Sequence, residues 1–107
     1  MLFENLSAIV AHERNHLHFI RSREDWNIVV AIGRAAEQGK SIGFKGLTLH
    51  KVASPSTLTR NLKRLIADDV IRRVAQPHDG RMVAYMLTKP ALDAFRRHER
   101  FLRNIKW

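Results

Sequence analysis

Hydroxyl-bearing and cationic side chains are concentrated between residues 54 and 64 of this chain. The donors that we single out in this stretch are Ser54, Ser56, Thr57, Arg60, Lys63 and Arg64. Hydroxyl, ammonium and guanidinium groups donate hydrogen bonds, and the two kinds of cation also attract anions. The set therefore has the chemistry to bind a polyanion that presents hydrogen-bond acceptors.

These donors are predicted to share one face of a helix over residues 54–67. The helix begins with a serine suited to the N-cap and a proline suited to the first helical position. At about 100° per residue, Leu58, Leu62, Leu65 and Ile66 fall on one side. The hydroxyls and cations fall opposite, so the aliphatic side is expected to be buried and the donor side to face outward.

A β-hairpin is predicted directly after this helix. Residues 70–76 and 81–87 read as two strands, and Pro77-His78-Asp79-Gly80 carries the Asp-Gly signature of a tight turn. Arg81 then follows the turn and adds a cation near the hairpin tip.

The remaining segments predict helices over 2–20, 22–38 and 41–50, and another that begins at the cap residue Thr88. The fold class is therefore mainly α with a small β-hairpin wing, in one domain over residues 1–107. We divide it into an N-terminal helix (1–21), a winged helix–turn–helix core (22–87) and a C-terminal helix (88–107).

The order of short helix, turn, cationic helix and hairpin is that of a double-stranded DNA-binding domain. A helix fits the major groove, where Arg60 could reach a base edge while Lys63 and Arg64 hold phosphates. The tip of the wing at 77–81 could bring Arg81 into the minor groove. The net charge of +9 favours a polyanionic partner in the same way.

The motifs resemble those of the MarR-type winged helix–turn–helix transcriptional regulators over roughly residues 26–95. The resemblance rests on Ser54-Pro55-Ser56-Thr57-x-x-Arg60, on Asp79-Gly80-Arg81 and on Leu87-Thr88. It implies that the first motif forms the recognition helix and the second forms the wing, with Asp79 and Gly80 supporting Arg81. It also implies that the terminal helices build a homodimer.

The chain departs from the family pattern at two places and in its length. Asp69 stands where the family usually has glycine before the first wing strand, and Thr88-Lys89-Pro90-Ala91 replaces the usual T-x-x-G. The terminal helices are also shorter, and the sequence does not identify a small-molecule effector.

Metal binding, catalysis and membrane insertion are less consistent with the sequence than DNA binding is. His12 and His16 share a helix face, but with His18 they are interpreted as polar surface rather than as metal ligands, and His98 is interpreted as isolated. No phosphate loop, metalloprotease motif or nucleophile elbow is present, so we predict neither an enzyme nor a metal or cofactor. With no apolar run long enough for a membrane span and no signal peptide pattern, a cytoplasmic protein is expected.

Two alternatives remain compatible with the residues. One is a winged-helix module that binds another protein. The other is a DNA-binding protein of replication or partition that does not control promoters.

Overall fold

The protein is mainly helical and carries one two-stranded antiparallel hairpin. The computed structural model describes residues 1–76 and 79–107, and describes side chains outside 76–82. Its elements are α1 (Leu2–His16), α2 (Arg23–Glu37), α3 (Phe44–Leu49), α4 (Pro55–Ala67), β1 (Ile71–Gln76), β2 (Asp79–Leu87) and α5 (Lys89–Asn104). The predicted class, a winged helix–turn–helix with flanking helices, is confirmed.

The core lies where α2, α3 and α4 meet the base of the hairpin. Its buried side chains are Ile28, Val29, Ile32, Leu47, Leu58, Leu62, Leu65, Val70, Ile71 and Ala91. The three leucines of α4 belong to this set, so the predicted aliphatic side of α4 is the buried one. Burial of each such side chain stabilises the fold by roughly 1.5–3 kcal/mol before conformational entropy is counted, so α4 is held by its whole aliphatic side.

The helices of the core end in short left-handed turns. Gly39, Lys51 and Asp69 have φ angles of 69°, 54° and 58° after α2, α3 and α4 respectively. After α4, the Asp69 and Val70 N–H groups donate to the Ile66 and Leu65 carbonyls, which closes the helix end. Asp69 therefore ends α4 in a left-handed conformation, which glycine adopts more readily than other residues.

The hairpin covers nearly its predicted span, but its second strand is longer than the sequence pattern predicts. In the register, Ile71 pairs with Leu87 and Ala75 with Val83, and a shift follows Ala75. The second strand begins at Asp79 rather than at residue 81, because Asp79 already pairs with Gln76.

The predicted helix over 41–50 is wrong at its start. Ile42 forms a β-bridge with Tyr85, whose N–H donates to the Ile42 carbonyl at 2.9 Å. That bond holds residue 42 in an extended conformation, so α3 begins only at Phe44, with Gly43 as its N-cap.

The predicted helix over 2–20 is likewise too long. It ends at His16, and Leu17, which has a φ of −122° and a ψ of 40°, caps it. The Leu17 side chain is only 2% exposed. We attribute the early end to this burial, which turns the chain towards the core one residue after α1.

Replacement of Gly43 by alanine is expected to destabilise the fold by about 1–3 kcal/mol, the usual cost of overpacking. A Cβ at position 43 would lie 2.6 Å from the Val83 carbonyl oxygen, which is backbone and can move only with the hairpin. Urea unfolding monitored by circular dichroism measures the change.

Gly33→Ala is the matched control. A Cβ at position 33 would meet Leu87 Cδ1 at an ordinary 3.6 Å, within a helix where alanine is favoured over glycine by about 1 kcal/mol. We expect this variant to be at least as stable as the parent. Equal stability of the two variants would contradict the conclusion that the close approach of Gly43 to the Val83 backbone excludes a side chain.

Candidate nucleic-acid interface

The N-terminus of α4 is capped as its sequence predicts. The Ser54 side-chain oxygen accepts a hydrogen bond from the Thr57 N–H at 3.3 Å, and Pro55 occupies the first turn. Backbone N–H groups in the first turn of a helix have no partner within the helix, which makes this end attractive to anions. The Ser54 and Thr57 donors therefore lie beside a partly positive helix end.

The donor side of α4 faces solvent. Ser56, Arg60 and Lys63 are exposed, whereas Leu58, Leu62 and Leu65 are buried on the opposite side. Thr57 is half-buried. The structure thus presents one row of hydroxyls and cations along the outside of α4, as the helical spacing predicts.

Thr59 is an exposed hydroxyl on this helix that the sequence interpretation left out. Its Oγ1 donates to the Pro55 carbonyl at 2.9 Å. This local bond occupies its hydrogen, so Thr59 can offer only an acceptor to a partner.

Arg64 has a different position from the one expected of a phosphate contact. Its Nη2 lies 2.5 Å from the Asp25 carboxylate, and the two side chains are 26% and 0% exposed. Its Nη1 is buried and has no hydrogen-bond partner among the described residues. The guanidinium group of Arg64 is directed into the junction between α4 and α2, so we assign it to anchoring α4 and not to binding phosphate.

Asp25 is held in place by further bonds. Its carboxylate also accepts from the Arg21 N–H at 2.9 Å, and its own N–H donates to Ser22 Oγ at 3.1 Å. Position 25 shares a helical face with Ile28, Val29 and Ile32, which are all buried. The sequence interpretation predicted a helix over 22–38 but missed this ion pair, for which an acid on the apolar face of α2 was the available signal.

The hairpin brings two more arginines to the surface. Arg72 and Arg73 of β1 are both exposed, although neighbouring strand residues point to opposite faces. Asp79, Gly80 and Arg81 belong to β2, but their side chains lie outside those that the structure describes. Their predicted roles in the wing remain predictions.

Neither a metal site nor a membrane span is found in the described part of the chain. Among the side chains that the structure describes, no group of three or more potential metal ligands is suitably arranged. The helices within residues 1–76 and 79–107 are each too short or too polar to cross a bilayer.

Replacement of Asp25 by alanine is expected to cost about 3 kcal/mol of unfolding free energy. The loss of one partner of a buried ion pair leaves the other without compensation, which usually costs about 3–5 kcal/mol. We expect the lower value because Arg64 retains some exposure to water. Chemical denaturation measures the change.

Asp93→Ala is the matched control for this variant, because it removes the exposed ion pair between Asp93 and Arg96. Exposed pairs contribute less than about 1 kcal/mol. A loss for Asp25→Ala as small as that for Asp93→Ala would show that the Asp25–Arg64 contact does not anchor α4.

Comparison with solved structures identifies the fold. The chain superposes on the transcriptional regulator PA4135 with a TM-score of 0.62 and 21% identity, covering 95% of this chain and 73% of that chain. For the transcriptional regulator Tm0710 from Thermotoga maritima, the TM-score is 0.60 and the sequence identity is 21%. The superposition covers 95% of this chain and 72% of that chain. For the adhesin competence repressor AdcR from Streptococcus pyogenes, the TM-score is 0.58 and the sequence identity is 15%. The superposition covers 97% of this chain and 81% of that chain.

Sequence comparison adds nothing to this likeness. No protein-family model matches the chain, and no curated protein is recognisably similar in sequence. These three solved structures are each described as a transcriptional regulator or a repressor. The chain therefore shares the winged helix–turn–helix fold of these structures, which is the fold that its motifs predict.

Proposed function

We propose that this protein is a transcriptional regulator that binds double-stranded DNA sequence-specifically through the outer face of α4. The observation that carries the proposal is the division of α4 into a buried leucine side and an exposed side bearing Ser56, Arg60 and Lys63. A helix about 10–12 Å across with outward donors matches the width of the major groove. Because the double-stranded DNA of bacteria lies in the cytoplasm, we propose that the protein is cytoplasmic.

Individual roles follow from position along α4. Ser54, Ser56 and Thr57 lie at the N-terminus, where side-chain hydroxyls and backbone N–H groups can together meet a phosphate or a base edge. Arg60 lies one turn further and is exposed, with a planar fork suited to guanine O6 and N7. Lys63 follows near the middle of the helix and is assigned to a phosphate.

The wing contributes through Arg81, whose entry into the minor groove is proposed from the resemblance alone. Arg72 and Arg73 add positive charge on β1. Arg64 takes part indirectly, because its bond with Asp25 fixes the orientation of α4 against α2.

We further propose that the protein acts as a homodimer. Helix α1 has no buried residue, and Phe3, Leu6 and Val10 on it are 77%, 40% and 51% exposed. A second copy would cover this apolar stripe of Phe3, Leu6 and Val10. Two copies related by a two-fold axis would then read half-sites about one helical turn of DNA apart.

Arg60→Ala is expected to weaken binding to the preferred duplex by about 1–3 kcal/mol and to relax base preference at one position, because a base contact is lost. Fluorescence anisotropy with the gene's own upstream DNA and with a scrambled duplex measures both effects. A similar loss on both duplexes would contradict the base-reading role.

Lys63→Ala is the matched control on the same face. Loss of one phosphate contact should weaken all duplexes alike and reduce the slope of log affinity against log salt by about 1. If the parent binds both duplexes equally and weakly, and loses them at physiological salt, the regulator proposal fails and a protein partner becomes the better explanation.

The homodimer is tested by Phe3→Glu combined with Val10→Glu. Charges placed in the apolar stripe would remain buried in a dimer, so the dissociation constant for self-association should rise at least tenfold, which equals about 1.4 kcal/mol. Sedimentation equilibrium measures it. Leu49→Glu on α3, where the side chain is 70% exposed, should leave association unchanged, and a monomeric parent would refute the dimer.

A further inference from the structure

A cluster of imidazoles joins α1 to α5. His12 Nδ1 lies 2.8 Å from His98 Nδ1, and the His12 ring stacks between those of His16 and Phe101, with centroids 4.2 and 4.1 Å away. His98 is only 5% exposed. The shared face of His12 and His16 is as predicted, but the interpretation of His98 as isolated is wrong because α5 packs against α1.

The contact between the two Nδ1 atoms constrains the number of protons on the pair. A hydrogen bond at 2.8 Å needs one nitrogen that carries a hydrogen and one that offers a lone pair. The pair satisfies this requirement when both rings are neutral, and also when one ring is protonated. When both rings are protonated, both Nδ1 atoms carry hydrogen, and the contact changes from attraction to repulsion.

Few negative charges lie near His12 and His98 that could stabilise the pair when both rings are protonated. Glu13 on α1 is the one carboxylate within ion-pair distance of the cluster among the described side chains, and its Oε1 is 3.9 Å from His98 Nε2. His16, also on α1, stacks on His12 and supplies no negative charge. From α5 the neighbour of the pair is the uncharged ring of Phe101.

The same surroundings lower the affinity of both rings for protons. Burial, and then the nearby His16 and His98, lower the pKa of His12 below its ordinary 6.5. Burial also lowers the pKa of His98, against an opposing effect of Glu13 that would raise it. Protons therefore bind more tightly when α1 has left α5 than when the two helices are in contact.

Few other contacts hold α1 in place. No residue of this helix is buried. Besides the histidine contact, the side-chain hydrogen bond from α1 to the C-terminal part of the chain is that from Asn5 Nδ2 to the Lys106 carbonyl, at 2.8 Å. The histidine cluster thus supplies much of the polar contact between α1 and the C-terminal part of the chain.

We propose that the His12–His98 contact is a pH-sensitive latch that holds α1 against α5 at neutral pH and releases it on acidification. Because the free rings bind protons more tightly, the latch is fully effective above about pH 6.5, the value for a free imidazole. The latch weakens as the pH falls below 6.5 towards the lowered pKa values that His12 and His98 have when α1 is docked. Each proton taken up on release lowers the ratio of docked to released α1 by up to about tenfold per pH unit.

Energy transfer between two dyes tests the latch in the full chain. The sequence has no cysteine, so Glu4→Cys on α1 and Arg97→Cys on α5, both at exposed positions, provide the two attachment points. An excess of unlabelled protein removes transfer between copies. Transfer efficiency is measured from pH 7.5 to pH 5, while far-ultraviolet circular dichroism confirms that the core stays folded.

We expect transfer to fall below pH 6.5 in the labelled parent and to return on neutralisation. His98→Gln and His12→Gln each keep a group that can hydrogen-bond but cannot titrate, and each should flatten the response. His50→Gln, which removes an exposed histidine elsewhere, should leave the response unchanged. Transfer that does not change with pH in the parent, or a full response retained in both glutamine variants, would overturn the proposal.

Discussion

The buried carboxylate of Asp25 is the constraint on which the rest of the structure depends. It is fully buried on the core side of α2, and its counter-charge is Arg64 of α4. An unpaired carboxylate at such a position would be costly, so α4 can adopt only those orientations that keep its arginine in reach. The leucines of α4 supply most of the burial, whereas this pair selects one rotation and one position of the helix along α2.

That selection determines what α4 shows to solvent. With Leu58 and Leu62 against the core and Arg64 turned towards α2, the exposed side is left with Ser56, Arg60 and Lys63. A basic surface attracts any polyanion, but reading of bases requires donors fixed to within a few tenths of an ångström. The buried pair and the capped N-terminus together give the donor row that rigidity.

Much of this arrangement could be predicted from local sequence patterns, and the errors have a common cause. The Ser-Pro cap and the leucine spacing of α4 are short-range signals that located this helix. The Asp-Gly signature predicted the hairpin, although Asp79 and Gly80 lie in β2 rather than in its turn. The end of α1 at His16, the bridge of Ile42 to Tyr85 and the pairing of Arg64 with Asp25 all depend on residues distant in the chain. Periodicity on one helix cannot reveal which charge lies on the next.

The most direct test of the central claim is chemical protection of guanine N7 by the bound protein. A duplex enriched from a random pool by this protein would be treated with dimethyl sulfate, which methylates N7 in the major groove, with and without protein. If α4 lies in that groove, guanines at the centre of each half-site will be protected at physiological salt. Unchanged methylation along a duplex shown to be bound would contradict the account, because the outer face of α4 would not be the surface that reads DNA.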